Sequence, residues 1–218
     1  MSVNLPYRDR TEAGRLLGAE LAKRKHGAGA HPIVLALPRG GLPVAVEVAE
    51  ALHAPLDLVV VRKLGVPWQP ELAMGAMASG AQVLDHPLIR ELRISREDVD
   101  AAVARETAEM ERREKLYRGG RPAPDLRGCT VFIVDDGLAT GSTMLAAVRC
   151  VRQLHPHKLI AAVPVGSVEA CDLMRKETDE CVCLAIPEPF CAVGEWYHDF
   201  QQVSDPEVQQ IMQRALVS

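Results

Sequence analysis

Short, nearly unbroken apolar runs alternate along this chain with stretches in which apolar residues recur at helical spacing. The runs are 33–37 (IVLAL), 56–61 (LDLVVV), 130–134 (TVFIV), 159–163 (LIAAV) and 181–186 (CVCLAI). Each is short for a helix and too continuously apolar for a strand with one wet face, so each predicts a strand buried on both faces. Between them, Asp9 and Glu12 form a capping pair that opens a helix to about residue 25. Leu16, Leu17 and Leu21 lie on its inner face, and Gly27 and Gly29 lie beyond its end. Further helices are predicted over 43–52, from the turn after residue 134 to about 154, over 168–176, and from Asp205-Pro206 onward. Strand–helix alternation of this kind predicts an α/β fold, a doubly wound and mostly parallel sheet, in one domain spanning 1–218.

Three segments depart from that rhythm. Residues 64–85 are rich in Gly, Ala and Pro and read as a long loop with a possible hairpin. Ser95 with Asp98 opens a strongly charged helix to about Arg118, with Glu109–Arg113 and Glu111–Lys115 as ion pairs. Its thin apolar stripe of Val99, Val103, Met110 and Tyr117 marks residues 86–120 as a helical insertion, an arm lying on the main body. Residues 187–200 carry aromatics without periodicity.

Composition changes this picture little. With 48% hydrophobic and 25% charged residues among 218, the chain can bury a full core without staples. A formal net charge of -4 argues against binding nucleic acid by bulk electrostatics. No apolar run approaches the roughly 20 residues needed to span a bilayer. Met1 to Pro6 has no basic region leading into an apolar stretch, which points to a cytoplasmic protein. The six cysteines, at 129, 150, 171, 181, 183 and 191, lack zinc-binding spacing and are expected to be buried core thiols.

Candidate chemistry concentrates in VFIVDDGLATGST, residues 131–143. In an open α/β sheet, ligands collect at the carboxyl ends of the strands, where Asp135 and Asp136 stand. Adjacent buried carboxylates need cations or hydroxyl donors facing them. The small residues that follow permit close backbone approach, and the next helix offers its N-terminal amides to an anion. Thr140, Ser142 and Thr143 add hydroxyl donors. Acceptors for sugar hydroxyls thus lie beside a phosphate nest, and a ribose 5-phosphate satisfies both. A Walker A loop would need a lysine after Gly141, and a GxGxxG fingerprint is absent. A receiver domain would carry its acidic pair after the first strand.

The segment resembles the phosphoribosyl-diphosphate motif of type I phosphoribosyltransferases: four apolar residues, two acidic residues, then a small-residue phosphate loop. By that resemblance Asp135 and Asp136 hold the ribose hydroxyls directly or through Mg²⁺, and Ala139, Thr140, Gly141, Ser142 and Thr143 hold the 5-phosphate. Arg39-Gly40-Gly41 after the first strand resembles the family's pyrophosphate loop. Arg62-Lys63 resembles its basic pair leading to a mobile lid, here residues 64–80, and these cations would stabilise the departing pyrophosphate. Within the lid, Glu71 reads as a helix-start residue. The N-terminal DRxxAG stretch, Asp9 to Gly14, is similar to a little-characterised bacterial branch of the family.

The tail 186–204 resembles the hood over the acceptor in hypoxanthine-type members. Phe190 would stack on a flat base, with Trp196 and Tyr197 as alternatives, and Asp199 would join Asp135 and Asp136 around Mg²⁺. Ala139 occupies the place where hypoxanthine-type loops carry a third carboxylate, so the acid–base group for 6-oxopurines is missing. The resemblance implies transfer of the 5-phosphoribosyl group from phosphoribosyl diphosphate to a nitrogenous acceptor, with Asp135, Asp136, Arg39 and Lys63 as catalytic residues. It also implies a small-molecule substrate, no nucleic-acid partner, no membrane, and a homodimer. The rival function is a non-catalytic sensor of the same donor, with the helix 95–118 as its partner surface.

Overall fold

A computed structural model describes residues 4–24 and 31–215. Lys25, Gly27 and Gly29, placed by sequence at and beyond the end of the first helix, lie outside the described residues, as do residues 1–3 of the N-terminal segment.

Five strands form an all-parallel sheet: β1 (Pro32–Ala36), β2 (Leu56–Leu58), β6 (Thr130–Val134), β7 (Lys158–Val165) and β8 (Glu180–Ala185), in spatial order β2-β1-β6-β7-β8. The continuous apolar runs resolve by the two-residue period of a strand into two faces. Phe132 and Val134 of β6 enter one core with Val34, Ala36, Ile160 and Ala162; Val131 and Ile133 enter the other with Ile33, Leu35, Leu159 and Ala161. The first face is covered by α1 (Arg10–Lys23), α2 (Gly41–Leu52) and α7 (Asp205–Arg214), and the second by α5 (Ser142–Arg152) and α6 (Val168–Glu177). This is the doubly wound α/β architecture expected from sequence.

Three expectations are corrected. The run 56–61 is two elements, because the chain leaves β2 at the sheet edge and enters β3 (Val61–Val66) of a second sheet. An apolar run carries no mark of a change of sheet.

Residues 64–85 are a packed antiparallel sheet, not a long loop: β3 pairs with β4 (Gln69–Ala78), which pairs with β5 (Ala81–Leu84). Leu64, Val66, Met74 and Met77 join the first core, and Ala76 and Ala78 the second, so this sheet is wedged between helices. Of the expected lid, Pro67, Trp68, Gln69 and Pro70 at the β3–β4 turn are exposed. Glu71 sits in β4 rather than at a helix start.

The insertion 86–120 consists of α3 (His86–Glu91) and α4 (Arg96–Arg118), and α4 belongs to the core. Val99, Ala102, Met110 and Tyr117 are buried, and so is Arg118, which reaches Asp57 at 3.0 Å, the Leu58 carbonyl at 2.6 Å and Glu114 at 3.1 Å. The cysteines are all free, but just Cys150 and Cys171 are buried; Cys191 is exposed and the other three lie between. No helix among the described residues is long and apolar enough to cross a membrane.

Candidate functional site

The central strand β6 ends in Asp135 and Asp136, at the carboxyl edge of the sheet. Both carboxylates are held. Asp135 Oδ1 accepts the backbone N–H of Asp136 at 2.9 Å, and Asp136 Oδ2 accepts Arg10 Nε at 2.8 Å. Burial, and then the charge of Asp136, pushes the Asp135 carboxyl well above the usual carboxylate range. Burial also raises Asp136, against the opposing pull of Arg10. A pair with both values raised is short of positive charge, which is what a ligand bearing hydroxyls or a cation supplies.

The turn after β1 runs directly under this pair. The Pro38–Arg39 peptide is cis, and Gly40 lies against Asp136, so that a Cβ there would overlap Oδ2. A Cβ on Gly41 would likewise meet the Val134 carbonyl at 2.7 Å. Glycine at both positions is a steric requirement of two backbone segments packed at the sheet edge.

On the other side, residues 137–141 form the small-residue turn. Leu138 N–H donates to the Val165 carbonyl at 3.0 Å, Ser167 N–H donates to the Leu138 carbonyl at 2.8 Å, and Ser167 Oγ donates to the Ala139 carbonyl at 2.7 Å. The turn is thus braced on the end of β7 and the start of α6. Gly141 closes it with φ of 71°, a left-handed conformation that favours glycine, and α5 begins. Ala139, Thr140, Ser142 and Thr143 are exposed on the outer side of this turn; Ser142 meets Lys63, Ser142 and Thr143 each border one of the clefts beside it, and Thr140 reaches Ser142 at 3.2 Å.

Helix capping separates this edge from the rest of the molecule. Asp9, Asp85, Ser95, Ser167 and Ser204 close the N-termini of α1, α3, α4, α6 and α7 with side-chain hydrogen bonds. The N-caps of α2 and α5, Gly40 and Gly141, supply none. α2 starts with Gly40 and Gly41 packed against Asp136 and Asp135, and α5 starts at the end of the turn that follows the pair, so two helix ends of partial positive charge begin near it.

The sequence-assigned cations divide. Lys63 Nζ donates to Ser142 Oγ at 2.8 Å and so reaches the turn. Arg62 pairs with Glu106 of α4 at 2.7 Å; neighbours on a strand point to opposite faces, so a basic doublet cannot place both side chains alike. Lys63 separates two clefts, one of about 630 Å³ toward α4 bordered by Arg62, Arg105 and Thr143, and one of about 530 Å³ lined by Glu71, Asp85, Ser142 and Arg149. Arg39 turns to Asp205 on α7 at 3.5 Å.

In the segment 186–204 the aromatics form a small core of their own with Tyr7 and Val165. Phe190 and Trp196 pack on each other with ring centroids 6.1 Å apart, and the buried indole N–H of Trp196 has no hydrogen-bond partner among the described residues. Tyr197 approaches the acidic pair instead, donating its hydroxyl to the Asp136 carbonyl at 2.6 Å. Asp199 is exposed and accepts the Gln201 N–H. No three His, Cys, Asp or Glu side chains gather at metal-holding distance among the described residues, so Asp199 does not join Asp135 and Asp136 in one ligand set. The two remaining carboxylates suit Mg²⁺ bound jointly with oxygens of a ligand, because that ion commonly takes one or two carboxylates plus phosphate groups.

Sequence reading missed Arg10, although its signal was there. Arg10 is the first residue of α1, where the helix dipole disfavours a cation, and a basic residue at that place calls for an anionic partner elsewhere.

An open parallel sheet with its ligand edge at β6 and a phosphate-type turn behind it is the architecture of the type I phosphoribosyltransferase fold. The chain belongs to the phosphoribosyl transferase domain family, whose model matches residues 10–204. It is 40% identical to TT1426 from Thermus thermophilus, whose crystal structure superposes with a TM-score of 0.86 over 96% of this chain and 99% of that one. A protein of Mycobacterium tuberculosis, provisionally named a phosphoribosyl transferase, is 44% identical over 210 residues. That match covers 96% of this chain and 47% of the relative, so the chain spans about half the length of the curated relatives it matches. The AQ2163 protein from Aquifex aeolicus shares the fold alone, at 13% identity and a TM-score of 0.51 over 85% of this chain and 78% of that one.

Proposed function

We propose that this protein transfers the 5-phosphoribosyl group of phosphoribosyl diphosphate to a nitrogen nucleophile, releasing pyrophosphate. The observation that carries this reading is a pair of largely buried carboxylates at the sheet edge with two helices, α2 and α5, starting nearby from glycine N-caps. A 5-phosphate on the α5 side, ribose hydroxyls on the carboxylates and a diphosphate on the α2 side match that order of charges.

Each group then has a defined task. The turn 139–143 and the α5 N-terminus anchor the 5-phosphate, with Lys63 beside Ser142 adding a cation. Asp135 and Asp136 accept the ribose hydroxyls and fix the sugar. Gly40 lets the backbone approach the diphosphate, and Arg39 leaves Asp205 to balance its charge. Asp135 and Asp136 are the residues that would hold Mg²⁺, which would supply positive charge to offset that on the leaving group. In the reaction the anomeric C–O bond to the diphosphate breaks, a C–N bond forms from the acceptor's lone pair, and the nitrogen's proton leaves to solvent or base. The chain's contribution is preorganised charge, not a covalent nucleophile.

The acceptor lies on the hood side, toward residues 186–204. Phe190 and Trp196, packed on each other with their rings tilted by 31°, offer an apolar aromatic surface there, which suits a planar nitrogenous base. Ala139 leaves the turn without the carboxylate that 6-oxopurine chemistry needs.

Calorimetric titration with phosphoribosyl diphosphate and Mg²⁺ tests the donor site. The double variant Asp135→Asn, Asp136→Asn should lose donor affinity by at least about a hundredfold, the cost of two charge-assisted contacts. Affinity equal to wild type would remove the doublet from the donor site.

A further inference from the structure

Arg10 is positioned at some cost and held from three directions. It opens α1 against the helix dipole, and its side chain is 11% exposed. Nε donates to Asp136 Oδ2 at 2.8 Å, Nη1 donates to the Gln201 carbonyl at 2.8 Å, and Cζ lies 3.9 Å from the centroid of the Phe200 ring. The guanidinium is fixed by the carboxylate at one end and by the segment 186–204 at the other, forked between two acceptors and stacked on an aromatic ring.

The oxygen it meets is closed off from the far side as well. The Gly40 backbone packs so near that a Cβ there would overlap Oδ2. Mg²⁺ needs ligands at about 2.1 Å in octahedral array and keeps several of its waters. Oδ2, held between Arg10 and the Gly40 backbone, is thereby taken from such a shell. Asp135 is also half committed, since its Oδ1 accepts the Asp136 N–H.

We infer that Arg10 is the resident counter-cation of the acidic pair, a positioning residue that locks Asp136 through Oδ2, leaves Oδ1 for the ligand, and keeps the ligand-free protein from binding a divalent metal at the doublet. The inference rests on the donor-site reading for what Oδ1 meets; its statement about metal does not require donor. Metal would reach this site as part of a donor complex, because the protein alone offers no complete set of oxygens.

Electron paramagnetic resonance of Mn²⁺, titrated into the full chain without donor, reads this directly. The wild type should leave the free Mn²⁺ signal nearly unchanged at the doublet. Arg10→Gln removes the cation and should bind Mn²⁺ at least about tenfold more tightly, with the gain abolished when Asp136→Asn is added. Arg10→Lys keeps a positive charge and should stay close to wild type, and thermal melts establish that each variant is folded. If Arg10→Gln does not fold, wild type against Asp136→Asn decides: a bound Mn²⁺ signal in the first that is lost in the second overturns the inference, and none in either supports it. An Arg10→Gln protein that folds and gains nothing also overturns it. Failure of the wild type to bind donor in calorimetry would instead remove the donor reading and leave the Mn²⁺ comparison standing.

Discussion

Asp135 and Asp136 occupy adjacent positions at the end of a fully buried strand, where two ionised carboxylates oppose each other and lose their hydration. The sign of the consequence is fixed. A carboxyl whose folded-state value is raised above its unfolded value of 3.8 favours the fold below that value and loses this contribution as the pH climbs through the folded value. At neutral pH the burial of this carboxyl therefore makes the free protein less stable than it is in acid. Asp135→Asn retains an oxygen for the Asp136 N–H and removes one charge. Its melting temperature at pH 7 should exceed that of wild type by at least about 2 °C, where roughly 1 kcal/mol moves a domain of this size by 2–4 °C. The gain should vanish below about pH 4, where both proteins are neutral at this position. Scanning calorimetry across that range checks it, and a lower melting temperature at pH 7 would contradict the charge argument. The sequence announced this pair, because two acids after four apolar residues have few structural uses. It did not announce the partners: Arg10 and Tyr197 lie 126 and 61 residues from Asp136, and nothing local marks such a contact.

At the scale of elements, the central strands and their helices were legible because each apolar run was long enough to show that both faces are buried. The second sheet was not. In β4 the packing residues are Met74, Ala76, Met77 and Ala78, interleaved with Gly75, and small side chains give neither clear alternation nor strong β-propensity. Helix α4 misled for another reason. Its stripe is thin because Arg118, a residue that in sequence suits an exposed helix C-terminus, is buried among Asp57, Glu114 and the Leu58 carbonyl. That makes α4 a clamp across the junction of the two sheets, since Asp57 and Leu58 belong to β2 and Arg62, paired to Glu106, belongs to β3. Arg118→Ala leaves two largely buried carboxylates without their cation and should lower stability by about 3–5 kcal/mol in urea unfolding. An arm resting on the surface would lose less than about 0.5 kcal/mol.

Across the whole molecule, residues 7–10 and the segment 196–201 act as one unit at the carboxyl edge of the sheet. Tyr7 N–H donates to the Trp196 carbonyl at 2.8 Å, His198 N–H to the Tyr7 carbonyl at 2.8 Å, and Asp199 N–H to the Arg8 carbonyl at 2.9 Å, making a parallel bridge between chain segments far apart in sequence. The Tyr7 ring is fully buried, and its hydroxyl donates to the Pro164 carbonyl of β7 at 2.8 Å, which ties the bridge to the main sheet. Arg10, three residues on, continues the same strap to Asp136. The segment 186–200 is therefore held by a strap that starts before α1 and ends on Asp136. Tyr7→Ala should cost about 3–5 kcal/mol, in the range of large buried aromatics. The loss should also be uneven. Amide exchange at His198 and Asp199 should accelerate far more than at Phe132 or Ile133 in β6, because the strap opens while the central sheet keeps its own cores. Tyr7→Phe keeps the ring and loses one buried hydrogen bond, so it should cost about 1 kcal/mol and leave the hood protected. Equal acceleration at residues 198–199 and in β6 in Tyr7→Ala would mean that this segment has no opening independent of global unfolding.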